Sequence, residues 1–187
     1  MAVAQRMSEQ AYQEFVLSGA EGTWELHDGV LVEKPGMSVE HGDSTFELGR
    51  HLGNQLDRRQ FRIAINDWRL RRSSSTLFIP DLVIVPLSLT QEFRGQPGRL
   101  AIFSDPLPLV VEVWSASTGD YDVAAKIPAY MERGDLEIWR VHPYERTLTS
   151  WVRQPDGSYQ ETVYRGGIVA LAALPGVTID LDELFDV

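Results

Sequence analysis

Two stretches of this chain are apolar on both strand faces, and each carries one acid. In Ile79 to Val85, alternation puts Ile79, Asp81, Val83 and Val85 on one side, with Phe78, Leu82 and Ile84 on the other. In Leu109 to Trp114, Val110, Glu112 and Trp114 share one side and Leu109, Val111 and Val113 the other. Strands apolar on both faces belong at the centre of a sheet covered on both sides. Asp81 and Glu112 are therefore drawn into the interior, where an unpaired carboxylate is strongly unfavourable. Two readings stay open. The pair forms an oxygen-rich site for a divalent cation such as Mg²⁺, or each carboxylate accepts bonds from a helix N-terminus, a lysine or an arginine.

The remaining sequence is that of an ordinary globular chain. It has 187 residues, 43% hydrophobic and 24% charged, which excludes a disordered or coiled-coil protein. There are no cysteines, so thiolate zinc sites, cysteine nucleophiles and disulfides are excluded. The net charge of −10 argues against a general nucleic-acid coat protein while allowing a local basic patch. Met1 to Met7 lacks a signal pattern, and no apolar run is long enough to span a membrane. A cytoplasmic protein is expected.

Turn and capping signals divide the chain. Ser8 starts a helix running to Leu17, and Trp24 to Glu33 reads as a hairpin around Asp28-Gly29. Glu40 to Asp57 reads as a helix, Phe61 to Leu70 and Thr76 to Pro86 as strands joined by Arg71 to Ser75, and Pro108 to Trp114 as a third strand. A helix follows from Asp120 to Arg133. Strands are expected at Leu136 to Val141, Thr147 to Arg153, Tyr159 to Tyr164 and Val177 to Leu181, then a last turn at Asp182 to Phe185. The fold class is mixed α/β or α+β in one domain, residues 1–187. It comprises an N-terminal helix and hairpin over 8–34, a core over 40–142, and C-terminal hairpins over 147–187.

Lys126 sits on the helix after the Glu112 strand. At roughly 100° per residue, Val123, Ile127, Tyr130 and Met131 form the buried arc, with Lys126 at its edge and Pro128 opposite. From there its ammonium can return toward the carboxylates, although taken alone it reads as a snorkelling surface lysine. Other candidates are weaker. No HExxH motif occurs, and Glu47 and His51 read as a surface pair. Ser73 to Ser75 form a turn, Trp68, Trp139 and Trp151 suit the core or an interface, and Gly166-Gly167 lacks a phosphate-loop context.

Ile79-Pro80-Asp81, Val111-Glu112-Val113-Trp114-Ser115-Ala116-Ser117-Thr118 and Asp122 to Tyr130 together resemble the Uma-two family of restriction-endonuclease-like proteins in the PD-(D/E)XK nuclease superfamily. So do Trp24 to Glu33, Glu40-His41-Gly42, Gly134 to Pro143, Leu174-Pro175-Gly176 and Leu181 to Phe185. The resemblance implies a restriction-endonuclease-like core, a mixed central sheet flanked by helices, with additional hairpins at both ends. It implies that Asp81 and Glu112 hold Mg²⁺ or Mn²⁺, with the Val113 carbonyl as a third ligand. The superfamily's usual lysine, two residues after the glutamate, is replaced here by Trp114, and Lys126 takes its role from the helix. His41 matches a family position near the site. Glu40 is a candidate for the acid that many members carry on their first core helix.

The function expected is metal-dependent hydrolysis of DNA phosphodiester bonds. Lys126 would orient or deprotonate water or stabilise the transition state. The rivals are a catalytically degenerate nuclease-fold binding or defence-associated module, and a structural homo-oligomer. A homodimer is expected from the terminal hairpins, which carry Trp151, Tyr159, Val163 and Tyr164. Arg69, Arg71 and Arg72 lie in a segment, Asp57 to Arg72, of local charge +4, and are expected to bind nucleic-acid phosphates. Replacing Asp81 by Asn is expected to abolish metal binding and to relieve repulsion between the two carboxylates.

Overall fold

The computed structural model describes residues 6–186, so most of the Met1 to Met7 stretch read for a signal pattern lies outside them. Helix α1 (Glu9–Leu17) begins where Ser8 accepts the Ala11 amide. Strands β1 (Trp24–His27) and β2 (Val30–Glu33) form the expected hairpin. Asp28 and Gly29 turn it with left-handed φ angles of 48° and 81°, the conformation that Asp-Gly tolerates best. Helix α2 (Val39–Gln55) is capped by Ser38, whose hydroxyl accepts the His41 amide.

The two long strands expected next are each broken. Phe61 to Leu70 divides into β3 (Phe61–Ile65) and β4 (Arg69–Ser73), and Thr76 to Pro86 divides into β5 (Thr76–Phe78) and β6 (Leu82–Pro86). The cause is topological: β3 and β6 belong to one sheet, β4 and β5 to another. The chain crosses between sheets at Asn66, held at φ 50°, and returns through Ile79 to Asp81. Asp81 therefore precedes its strand rather than lying inside it.

Beyond β6 come α3 (Leu87–Thr90), β7 (Ile102–Phe103), β8 (Leu109–Val113), α4 (Gly119–Tyr121), a π-helical turn (Asp122–Lys126) and α5 (Ile127–Arg133). They are followed by β9 (Glu137–His142), β10 (Thr147–Arg153), β11 (Tyr159–Tyr164), β12 (Ile168–Ala170), β13 (Thr178–Asp180) and α6 (Leu181–Leu184). The six-stranded sheet runs β11-β10-β9-β8-β6-β3, with β8 and β9 parallel and the other neighbours antiparallel. A five-stranded sheet runs β2-β1-β5-β4-β7, and β12-β13 form a ribbon.

Alternation along the central strands holds as expected. Leu82, Ile84, Leu109, Val111 and Val113 pack with Leu48 and Leu52 of α2 and Leu181 and Leu184 of α6. Val83, Val85 and Val110 pack with Ile127, Ala129 and Tyr130 of α5. The C-terminal hairpin, from which a dimer was expected, is part of the core. It continues the central sheet through β9, and Tyr159 donates its hydroxyl to the Asp135 carbonyl at 2.6 Å.

The helix after β8 also departs from expectation. The Ile127 amide bonds to the Asp122 carbonyl, five residues back, so this turn is wider than an α-turn. Pro128 has no N–H to send to Ala124, which removes the α-type bond at that point. The extra width turns Asp122 and Lys126 inward and leaves Val123 42% exposed, where the regular arc would have buried it. Gly119 opens this segment beneath the Trp114 ring. A Cβ there would overlap the Trp114 indole nitrogen. We predict that Gly119→Ala lowers unfolding free energy by about 1–3 kcal/mol, the usual range for overpacking, measured by urea denaturation. An unchanged midpoint would show that the ring is free to move.

Candidate active site

Strand register brings the two acids together. Leu82 of β6 pairs with Val111 of β8 in an antiparallel ladder, so Asp81 and Glu112 occupy the next position across the pair. Both are buried. Asp81 Oδ2 accepts the Val113 amide at 2.7 Å and His41 Nε2 at 3.1 Å, while Oδ1 accepts Lys34 Nζ at 3.0 Å. Lys34 also donates to the Ile79 carbonyl and Asn66 Oδ1, fastening both sheet crossings to the β2 end.

Glu112 has other neighbours. Its Oε1 accepts the Tyr130 hydroxyl at 2.6 Å and lies 3.4 Å from Lys126 Nζ. Lys126 is also 3.0 Å from Glu25 Oε1 and 3.7 Å from Asp122 Oδ1, with the Phe78 ring 6.0 Å away. Glu25 is held in turn by the Ile79 amide and by His27 Nε2, both at 2.7 Å. His27 stacks on Tyr121, whose hydroxyl lies 2.8 Å from Nδ1. With Nε2 protonated toward Glu25, Nδ1 accepts the tyrosine proton. Glu25, His27, Lys34, Asp81, Glu112, Tyr121 and Lys126 line one cavity of about 500 Å³.

The carboxylates divide by environment. Burial alone would raise Asp81, but Lys34 and His41 hold it well below the usual carboxylate range. Glu25, also buried, is brought down to about 2 by Lys126, His27 and Lys34. Burial pushes Glu112 well up against the opposing pull of Lys126, and Asp122 and Asp81 push it further. Burial likewise raises Asp122. Its Oδ1 is sealed from solvent with no hydrogen-bond partner among the described residues. Burial would lower Lys126, but Glu112, Glu25, Asp122 and Asp81 together raise it well above its ordinary value, so it stays charged.

Four carboxylates thus face two ammonium groups. With histidine neutral the cluster carries two surplus negative charges when fully ionised, which is the charge a divalent cation would complement. Donor chemistry fits a hard cation, since oxygen ligands dominate such sites and Mg²⁺ commonly uses one or two carboxylates plus water and phosphate. Among the described residues no three acid or imidazole groups converge as a ready cage, because Lys34 and Lys126 stand between them.

Of the residues expected from sequence, Asp81, Glu112, Lys126 and His41 come together. Val113 meets Asp81 through its amide. Glu40 does not join them: it is exposed on α2 and accepts the Tyr144 hydroxyl at 2.8 Å. The third acid on Lys126 is Glu25, from the hairpin. Arg69 is buried against the Tyr12 hydroxyl, Arg71 is paired with Glu9, and Arg72 with Glu132 at 2.9 Å. None of the three lines the carboxylate cavity. Sequence reasoning missed Glu25, Lys34 and Asp122. Asp122 alone carried a signal, four residues before Lys126 on a helix.

A family model described as "Putative restriction endonuclease" matches residues 9–182. The chain belongs to the Uma2 family. One relative, the uncharacterized protein sll1609 of Synechocystis sp., is 28% identical over 107 residues, and the match spans 57% of this chain and 58% of that protein's length. Among solved structures, a "putative nuclease belonging to DUF820" from Anabaena variabilis superposes with a TM-score of 0.73 at 18% identity, covering 96% of this chain and 97% of its own. The Uma2 fold expected from the motifs is thus the fold observed: a mixed α+β core shared with that neighbour.

The split between carboxylates has opposite consequences for stability. Asp81 and Glu25, with lowered folded values, stabilise the fold above the ordinary carboxylate range, and that contribution is lost as pH falls. Glu112, with a raised folded value, costs stability as pH rises above that range, because the unfolded chain releases a proton that the folded one retains. Asp81→Asn therefore strands Lys34 and His41 and costs about 3 kcal/mol or more, which corrects the expectation of relieved repulsion. Glu112→Gln keeps an acceptor for Tyr130 and should raise the urea midpoint at pH 7 in chelator while leaving it unchanged near pH 4. A midpoint that falls at pH 7 would place the uncompensated charge elsewhere.

Proposed function

We propose that this chain is a divalent-metal-dependent endonuclease that hydrolyses DNA phosphodiester bonds at the cavity lined by Asp81, Glu112 and Glu25. The observation that carries the reading is the gathering of three buried carboxylates, Glu25, Glu112 and Asp122, around the single ammonium of Lys126. Membership in a family described as "Putative restriction endonuclease" supports it. Asp81 and Glu112 would hold Mg²⁺ or Mn²⁺. When bound, such an ion neutralises phosphate charge and lowers the pKa of a water molecule.

The chain's own residues supply the rest. Lys34, His41 and the Val113 amide fix the Asp81 carboxylate. Lys126 presents a permanent positive charge on the cavity wall, placed to stabilise the charge that develops on a phosphate in the transition state. The Tyr130 hydroxyl holds Glu112 in place. An enzyme cutting both strands would pair two copies, and β11, one of the two edge strands of the central sheet, offers an edge for that pairing.

One observation favours a second reading, a nuclease fold that binds without cutting. Lys34 occupies Asp81 Oδ1, so a cation there must displace an ammonium held by three acceptors. Lys126→Ala separates the two readings. Removing one positive charge from the cluster should raise Mn²⁺ affinity in calorimetry and abolish plasmid cleavage. It should also lower stability in chelator by about 3 kcal/mol through the unpaired carboxylates. Cleavage at the wild-type rate would remove Lys126 from the chemistry, and failure of the unaltered protein to cut with Mn²⁺ would leave the binding reading.

A further inference from the structure

A second cavity, of about 420 Å³, opens where the chain leaves the Asn66 crossing, at Asp67 and Trp68. Arg62, Arg69, Arg94 and Arg99 line it, with Trp68 and Phe93. Their acidic company is sparse. Asp67 lines the same cavity 3.6 Å from Arg69, and Glu92 pairs with Arg99 at 3.1 Å. Four guanidinium groups against two carboxylates leave a local excess of two positive charges in a chain whose net charge is −10. Arg94 is exposed, and its guanidinium pairs with no carboxylate among the described residues. The aromatic side is ordered: Phe103 packs against Trp68 at 5.3 Å and Phe93 at 5.2 Å, and Arg99 stands 4.8 Å over the Phe93 ring.

Guanidinium forks suit phosphate oxygens, and aromatic faces suit bases without regard to sequence. Together they select an aromatic anion rather than a bare one. The cavity is also tied to the carboxylate site. Asn66 accepts Lys34 Nζ at 2.9 Å, and the same ammonium bonds Asp81. The next two residues, Asp67 and Trp68, line the arginine cavity. At about 3.8 Å per residue, the Trp68 and Asn66 Cα atoms are no more than about 7.6 Å apart.

We propose that this arginine pocket binds one nucleotide unit, its base against Trp68 and Phe93 and its phosphate on Arg94 and Arg99. The unit belongs to the strand whose scissile phosphate lies at the carboxylate cavity. The placement in a strand rests on the nuclease reading, whereas the nucleotide chemistry does not. Arg69, expected from sequence to meet phosphate, keeps a part as a pocket wall. Arg71 and Arg72 are paired elsewhere.

Calorimetry in excess EDTA tests this without hydrolysis, using deoxyadenosine monophosphate, a short oligothymidylate and inorganic phosphate as probes. Both nucleotide probes should bind more tightly than phosphate, and the oligonucleotide most tightly. Arg94→Ala and Arg99→Ala should each weaken nucleotide binding roughly tenfold, as loss of a charge-assisted hydrogen bond does. Each should also flatten the oligonucleotide's log–log salt slope by about 0.7. Trp68→Leu should weaken the nucleotides and leave phosphate unchanged, and Arg72→Ala should change nothing. Unchanged affinity in Arg94→Ala, or phosphate binding as tightly as the mononucleotide, would overturn the proposal. Binding of the mononucleotide with exclusion of the oligonucleotide would overturn the strand placement. Oligonucleotide binding that is lost in Arg94→Ala, in a protein that never cuts with Mn²⁺, would sustain the pocket and remove the nuclease reading.

Discussion

The Lys126 ammonium joins carboxylates from the two sheets. It is buried within 3.0 to 3.7 Å of carboxylates from β1, β8 and its own π turn. Glu25 belongs to the five-stranded sheet and Glu112 to the six-stranded one. Lys126 thus ties the hairpin to the central sheet, together with Lys34 at the sheet crossings and the apolar cluster of Leu70, Phe78, Phe103, Val83, Val85 and Val110. Removing one partner of such a network leaves the others buried and uncompensated, and that penalty, more than the gross attraction, enforces the arrangement.

Local departures from regular structure serve the same end. The π turn swings Asp122 and Lys126 inward where an α-helix would have presented Val123. The break at Ile79 to Asp81 frees the Ile79 amide for Glu25 and sets Asp81 beside Glu112. The result is a cluster whose members are not equivalent. Lys34 and His41 settle Asp81, whereas Glu112 and Asp122 are held at a disadvantage as anions. A site whose acids outnumber its ammonium groups, two of them disfavoured as anions until a cation arrives, is prepared for an external cation, and its pH dependence carries the same imbalance.

The central strands were legible because two-sided apolar alternation around Asp81 and Glu112 has few other meanings. The helix start at Ser8 and the Asp28-Gly29 turn follow from capping and turn chemistry that acts locally. The changes of sheet at Asn66 and Asp81 were not legible. Asn66-Asp67 and Pro80-Asp81 are poor strand formers, but the apolar segments on either side each read as one strand, and only the partner strands decide where the chain leaves. Glu25 was hidden for a related reason. A hairpin alternating Trp24 and Leu26 with Glu25 and His27 reads as one buried and one wet face, yet β1 is covered on both. Glu40, at the start of α2, looked equivalent to a site acid, but its position on the helix turns it to Tyr144 and solvent. Lys34 sits just after the hairpin with no pattern to mark it, and its role follows from the crossing it closes.

The central claim is that this cluster holds a divalent cation through Asp81 and Glu112. Anomalous diffraction from crystals soaked in Mn²⁺ tests it most directly. The account predicts one strong peak within bonding distance of an oxygen of each residue, about 2.0–2.6 Å as for hard divalent ions, with Lys34 displaced from Asp81. A saturating soak with no peak there, and with Lys34 still bonded to Asp81, would contradict it.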